Sequence, residues 1–247
     1  IKNIKNFYSI KSAYRYLGNK TIYIISTPPS KHIYYLENLI KKNVEYIYCE
    51  KPLLTRSVDY KKIITLINEN QKLIEIYPYK NTIMFNKFKD YYFQNQSSIT
   101  KIKLKFTIPN LPNETFRDNK GIQNSLLYDM GCYPLDLLIT LGIVKDIEKI
   151  KNLKYQCLKK NYILNFNYLN IKIFINVGLS KNYSNYIKLT NINKTKITFN
   201  KFFFARNTKK NITYYKKNNS IKKIFTFIDN DTFSKYFNNI MHISYKN

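Results

Sequence analysis

The chain has no tryptophan, five glycines, three cysteines and fifteen carboxylates in 247 residues. Each shortage excludes something. The glycines stand at Gly18, Gly121, Gly131, Gly142 and Gly178, so no glycine-rich turn that closes backbone N–H groups around a phosphate can be assembled from them. Cys49, Cys132 and Cys157 form no C-x-x-C pair, which argues against a zinc site and fits a reducing cytoplasm. No run approaches the ~20 apolar residues that a membrane helix needs. No basic-then-apolar leader with a small-residue cleavage site is visible. A soluble, cytoplasmic chain without a membrane partner is expected. The shortage of acid, set against 42 lysines and arginines, leaves a net charge of +27. Taken alone, that charge points to nucleic acid or an anionic surface. The abundance of Asn, Ile, Tyr and Phe beside so little Gly is, however, what an A+T-rich coding sequence produces. The lysines are scattered, in short clusters such as Lys159-Lys160, Lys209-Lys210, Lys216-Lys217 and Lys222-Lys223. No specific nucleic-acid partner is expected, only adhesion to polyanions.

What is present reads as alternating strands and helices, with 44% hydrophobic residues, enough for one large core or two small ones. Thr21-Ile22-Tyr23-Ile24-Ile25 is a β-branched strand stopped by Ser26-Thr27-Pro28-Pro29, and a helix is expected over 30–42. Tyr46-Ile47-Tyr48-Cys49 is a second buried strand, ending at Glu50-Lys51-Pro52. A helix over 57–70, with Val58, Ile63, Ile64 and Ile67 near one face, leads to a third strand over 73–77. Strand–helix–strand repetition predicts a right-handed parallel sheet, whose carboxyl edge is where such sheets bind ligands. Lys51 at that edge is a candidate acid/base.

Beyond Tyr77 the character changes. A linking helix is expected over 79–95, a half-exposed strand of alternating lysines over 99–108 and an apolar helix over 125–141. Short strands follow over 162–166, 171–175, 186–189 and 196–199, separated by Asn-rich turns. The stretch 207–223 reads as loop by composition, and 231–243 as a closing helix. The fold class expected is α/β: a partial Rossmann-like parallel-sheet domain over 1–77, then an α+β domain over 78–247 with an open-faced, mainly antiparallel sheet. Asp129 and Tyr133 stand four apart on the 125–141 helix and can face the same way. Arg117 is placed to approach a cofactor or an anionic substrate.

Three segments, Tyr23-Ile24-Ile25-Ser26-Thr27-Pro28-Pro29-Ser30-Lys31-His32, Cys49-Glu50-Lys51-Pro52 and Tyr128-Asp129-Met130-Gly131-Cys132-Tyr133-Pro134-Leu135-Asp136, together resemble the Gfo/Idh/MocA family of NAD(P)-dependent oxidoreductases. The resemblance implies a hydride transfer between NAD or NADP and a hydroxyl of a sugar or sugar nucleotide. It implies that Lys51 lies beside the nicotinamide and the substrate hydroxyl, and that Tyr133 replaces the histidine of many members as proton donor. Asp129 would orient the tyrosine or the substrate. Ser26, Thr27, Pro28, His32 and Glu50 would border the dinucleotide. It also implies a homo-oligomer through the C-terminal sheet. The family's first strand, G-x-G-x-x-G turn and helix have no counterpart here, and 7–17 matches the helix before the family's fourth strand. The chain therefore reads as lacking roughly the first half of the nucleotide-binding domain, and as incomplete or inactive by itself. Two alternatives stand beside the enzyme: a non-catalytic remnant serving as a structural or oligomerisation module, and a basic polyanion-binding protein.

Overall fold

The computed structural model describes residues 5–109, 126–216 and 218–229 together with Ser234 and Tyr236. These fall into two compact units, one of the residues up to Tyr77 with 126–128, the other of the residues from Pro78 to 109 and from Asp129 onward. None of the described helices is long and apolar enough to cross a membrane.

The first unit opens with α1 (Ile10–Leu17), started by a capping box in which Ser9 and Ser12 satisfy each other's backbone N–H groups. Then β1 (Ile22–Ile25), α2 (Pro29–Ile40), β2 (Tyr46–Glu50), α3 (Ser57–Leu66) and β3 (Lys72–Ile76) follow in alternation. The strands form one parallel sheet in the order β1-β2-β3, with Ile25 opposite Cys49 and Cys49 opposite Glu75. Its core is Leu36, Leu39 and Ile40 of α2 packed with Val44, Ile47, Cys49 and Ile63. The buried Gln71 side chain donates to the carbonyls of Ile40 and Val44, closing the turn into β3.

The expected apolar face of α3 needs correction. Ile63 is buried, but Val58 is 62% and Ile64 68% exposed. Five helical residues separate Val58 from Ile63, about 140° of rotation, so the two cannot share a stripe. The inward position near the helix start is taken by Asp59, paired with the Arg56 guanidinium at 2.7 and 2.8 Å. The helix also ends at Leu66 rather than 70, because Ile67 is extended and the Asn68 side chain accepts from the Asn70 N–H in a turn.

In the second unit a 3₁₀ turn over Pro78–Asn81 precedes α4 (Ile83–Asn95), so the linking helix begins later than 79. β4 (Ile99–Ile108), α5 (Leu126–Thr140), β5 (Ile150–Leu158), β6 (Asn161–Tyr168), β7 (Ile171–Leu179), β8 (Ser184–Asn191), β9 (Lys196–Asn200), β10 (Thr208–Tyr215) and β11 (Ile221–Asp229) complete it. One eight-stranded sheet results, in the order β11-β10-β9-β8-β4-β7-β6-β5, antiparallel throughout except where β4 pairs with β7. This is the α/β architecture expected, with a parallel sheet followed by a mainly antiparallel one.

Three strands escaped the sequence reading. β5 is an edge strand exposed along nearly its whole length, so it lacks the apolar alternation of a buried one. β10 and β11 form a hairpin through the stretch read as loop, their alternation masked by lysine and asparagine. One row crosses all eight strands in register, buried at Ile212, Phe199, Ile187, Leu104 and Ile175, half-buried at Leu164 and exposed at its two ends, Phe225 and Tyr155. Helix α4 packs on it through Phe88, whose ring meets Phe199 at 5.1 Å and Phe202 at 5.2 Å. Gly178 in β7 has φ +116°, and a Cβ there would stand 2.1 Å from the Lys160 carbonyl oxygen, so only glycine lets the β5–β6 turn close on the sheet. The closing helix expected over 231–243 lies outside the described residues, apart from helical Ser234 and Tyr236.

One charge pair stands inside this unit. Lys210 of β10 is 1% exposed, with its ammonium 2.9 Å from Asp229 Oδ2 but without hydrogen-bond alignment. The same carboxylate accepts from the Ile83 and Met84 N–H groups at the start of α4. Burial pulls the Lys210 ammonium below its ordinary range, outweighing Asp229, which pushes it up. Asp229→Ala would leave a buried cation and two buried N–H groups unpaired. A loss of about 3–5 kcal/mol is expected in urea unfolding, whereas Lys210→Met should cost clearly less because it leaves no charge stranded.

Candidate active site

Parallel pairing of β1 and β2 sets the two segments that leave their carboxyl ends side by side. After β1, Ser26 and Pro28 are exposed and Thr27 is half-buried, with its hydroxyl oxygen enclosed and without a hydrogen-bond partner. Pro28 caps α2 without a side-chain bond, and Pro29 occupies the first helical position, where a missing N–H costs nothing. After β2, Glu50 and Lys51 are half-buried and Pro52 is buried, the Lys51–Pro52 peptide being cis.

His32, in the first turn of α2, joins the two segments. Its ring is fully buried, with Nε2 2.8 Å from the Thr27 carbonyl and Nδ1 3.0 and 3.1 Å from those of Pro52 and Leu53. In either tautomer the ring donates into one of the two loops. Glu75 of β3 holds the second loop from the other side: its Oε1 accepts from the Leu53 N–H at 2.7 Å and from the Tyr77 hydroxyl at 3.1 Å. Between these groups the Cys49 thiol is pushed far up by burial and by the Glu75 and Glu50 carboxylates, so it stays protonated and is no nucleophile.

Asp129 and Tyr133 belong to α5 in the second unit, Lys51 to the first. Asp129 is 7% exposed, and its carbonyl accepts from the Cys132 thiol at 3.4 Å. The half-buried Tyr133 ring lies among Phe106, Phe203 and Tyr79, with centroids 5.4, 5.6 and 5.9 Å away. Tyr79 is fully buried and its hydroxyl donates to Asp136 Oδ2 at 2.5 Å. Lys80 Nζ lies 2.7 Å from the other Asp136 oxygen. Burial first, then the Asp136 charge, pushes the Tyr79 phenol far up, which withdraws it from proton transfer. Asp136 thus ties α5 to the 3₁₀ turn. Arg117 lies outside the described residues. Among the described residues no cluster of three or more His, Cys, Asp or Glu side chains is placed to hold a metal ion.

Of the supporting set Glu75, Tyr79 and Asp136, the last is readable from the sequence as a structural or helix-surface charge, whereas the other two are not. Glu75 left one signal, a lone carboxylate inside the apolar run Leu73-Ile74-Glu75-Ile76.

No protein-family model and no curated protein sequence matches the chain. Solved structures share its fold. One is the 3-ketoreductase KijD10 from Actinomadura kijaniata in complex with NADP and TDP-benzene, with a TM-score of 0.74 at 14% identity over 91% of this chain and 70% of that one. Another is an aldose-aldose oxidoreductase from Caulobacter crescentus complexed with glycerol, with a TM-score of 0.69 at 12% identity over 88% of this chain and 66% of that one. A third is an oxidoreductase from Pseudomonas syringae, with a TM-score of 0.59 at 13% identity over 83% of this chain and 55% of that one. At such identity the likeness is one of fold.

His32→Ala would strip the carbonyls of Thr27, Pro52 and Leu53 of the imidazole that faces them. A stability loss of about 1–3 kcal/mol is expected, with faster amide exchange in both 26–32 and 51–54. Faster exchange in one loop only would mean that the ring does not couple them.

Proposed function

We propose that this chain is the catalytic part of an oxidoreductase that passes a hydride between NAD or NADP and a hydroxyl carbon of a sugar or sugar nucleotide. The observation that carries the reading is Glu50-Lys51-Pro52 at the carboxyl end of β2, held against the β1 loop through His32. The NADP and TDP-benzene held by KijD10, and the glycerol held by the aldose-aldose oxidoreductase, support the cofactor and the substrate class. In this reading residues 1–77 are the C-terminal part of a dinucleotide-binding domain, and 78–247 bind substrate, in the cytoplasm.

The residues present fit one end of the cofactor. Thr27 brings an enclosed, unpartnered hydroxyl and Ser26 an exposed one to the loop after β1, donors and acceptors suited to ribose and carboxamide groups. Glu50 and Arg117 are assigned to the same border, and His32 acts through the loops it holds. A pyrophosphate cradle is missing: no glycine follows β1 or β2. The cofactor, when bound, accepts or returns the hydride. Lys51 is assigned to take or give the hydroxyl proton, Tyr133 to donate a proton, and Asp129 to orient the tyrosine or the substrate.

The missing glycine turn favours the non-catalytic remnant as the second reading, and binding separates the two questions. Several lost charge-assisted bonds at about 1.5–3 kcal/mol each lower affinity by orders of magnitude, so the 247-residue chain should bind NADPH only weakly in calorimetry. Micromolar binding would contradict this. Joined to a strand, G-x-G-x-x-G turn and helix, the chain should bind NADP(H) and reduce keto-sugars, and Lys51→Ala should slow it by about 10²–10⁴-fold. Unchanged turnover in that variant removes Lys51 as the acid/base, and cofactor binding without turnover on any sugar or sugar nucleotide favours the remnant.

The homo-oligomer implied through the C-terminal sheet meets an obstacle in Lys101, Lys103, Lys105 and Lys188 on its open face. Two such faces repel unless anions screen them. Light scattering should give a monomer at low salt, with any association growing as salt rises. A dimer unaffected by salt would contradict the charge argument.

A further inference from the structure

The side of the eight-stranded sheet opposite α4 gathers charge of one sign. Residues alternate across the sheet, so the register that lines up Leu104 and Ile187 on the helix side lines up Lys103 and Lys188 on the other. Beside them Lys101 pairs with Lys172 and Thr190, and Thr190 with Lys196. Lys105 stands opposite Tyr186. Among the eight strands the only carboxylate is Asp229, which is 1% exposed and bound to Lys210 and the start of α4. Compositional scatter of lysine does not account for a face with lysine rows and, among the described strand residues, no counter-charge.

Rings interleave with the lysines. Lys103 faces Phe174 in register with its ammonium 5.0 Å from the ring centre, and Lys188 stands 5.9 Å from Tyr186 and 5.3 Å from Tyr215. Thr198, paired with Lys188, is 4% exposed, and its hydroxyl has no hydrogen-bond partner. Burial, then Lys103 and Lys196, draws the Lys188 ammonium down. In the free protein these cations have little to balance them except aromatic faces.

We propose that this face binds single-stranded nucleic acid. Phosphates pair with the ammonium groups of Lys101, Lys103, Lys105 and Lys188, drawing Lys103 and Lys188 off their rings, and the uncovered Phe174, Tyr186 and Tyr215 rings receive bases. An acidic protein surface would satisfy the lysines and leave the rings idle, which is why the interleaving favours nucleotides. The proposal is independent of the oxidoreductase reading, since all its residues lie in the second sheet.

The test is fluorescence anisotropy of the full chain with a labelled ~20-nucleotide oligo-dT at several salt concentrations. Lys101→Gln/Lys103→Gln/Lys105→Gln should weaken binding at least tenfold and flatten the log–log salt slope by about 0.7 per lysine. Lys87→Gln/Lys89→Gln/Lys145→Gln, of equal net charge and on the helix side of the same sheet, should change affinity less than twofold. Phe174→Leu/Tyr186→Leu should weaken oligo-dT at least fivefold and leave heparin binding unchanged. Circular dichroism checks that each variant is folded. Equal losses in the two lysine triples would reduce the effect to net charge and overturn the proposal. So would a polyglutamate peptide that binds as tightly as oligo-dT, or a ring variant that binds oligo-dT as the parent does.

Discussion

Period-two alternation is the constraint on which most of this molecule depends. In the second sheet eight strands keep their pairing apart from local irregularities in β4, β5 and β10, so an apolar residue that meets α4 or α5 fixes a neighbour pointing the other way. A slip of one residue in β4 would carry Ile102 and Leu104 out and Lys103 and Lys105 in, exchanging buried methyl groups for uncompensated ammonium groups. The cost of burying such charge is far above the stability of a typical domain. Lys210 is a strand lysine that the register buries on the helix side, and the structure answers it with Asp229, which at the same time caps α4. The sheet's basic face is thus a consequence of the same alternation that builds its core.

In the first unit the equivalent constraint is parallel pairing. It brings the ends of β1, β2 and β3 to one edge, where every strand must stop and turn into a helix. The backbone groups freed there need partners. His32 and Glu75 supply them from α2 and β3, and Thr27, proposed to border the cofactor, and Lys51, proposed to handle the proton, flank the groups so fixed. Rigidity at this edge comes from side chains that themselves do no chemistry.

The sequence made some of this visible and hid the rest for physical reasons. β4 was readable to the residue, because Lys101-Ile102-Lys103-Leu104-Lys105-Phe106 alternates cleanly after the irregularity at its start. The edge of the first sheet was readable from Glu50-Lys51-Pro52, where strand propensity collides with a proline. β10 was hidden because the residue on its buried side is Lys210, whose partner Asp229 is nineteen positions away in sequence and adjacent only through the hairpin. β5 was hidden because an edge strand buries almost nothing. The apolar face assigned to α3 failed since hydrophobic residues were counted without their angles, and Val58 and Ile64 point to solvent. The clustering of lysines on one face was likewise invisible as scatter along the chain. It exists only after the strands are paired.

The claim most central to this account is that the carboxyl edge of the first sheet, not the lysine face of the second, is where a nicotinamide dinucleotide goes. Hydrogen–deuterium exchange of the chain with and without millimolar NADPH separates them, since the ligand's phosphates are also attracted by the lysine face. The account predicts slowed exchange in 26–32 and 50–54, abolished by His32→Ala. Slowing confined to β4 and β8, with those two loops unchanged, would contradict it.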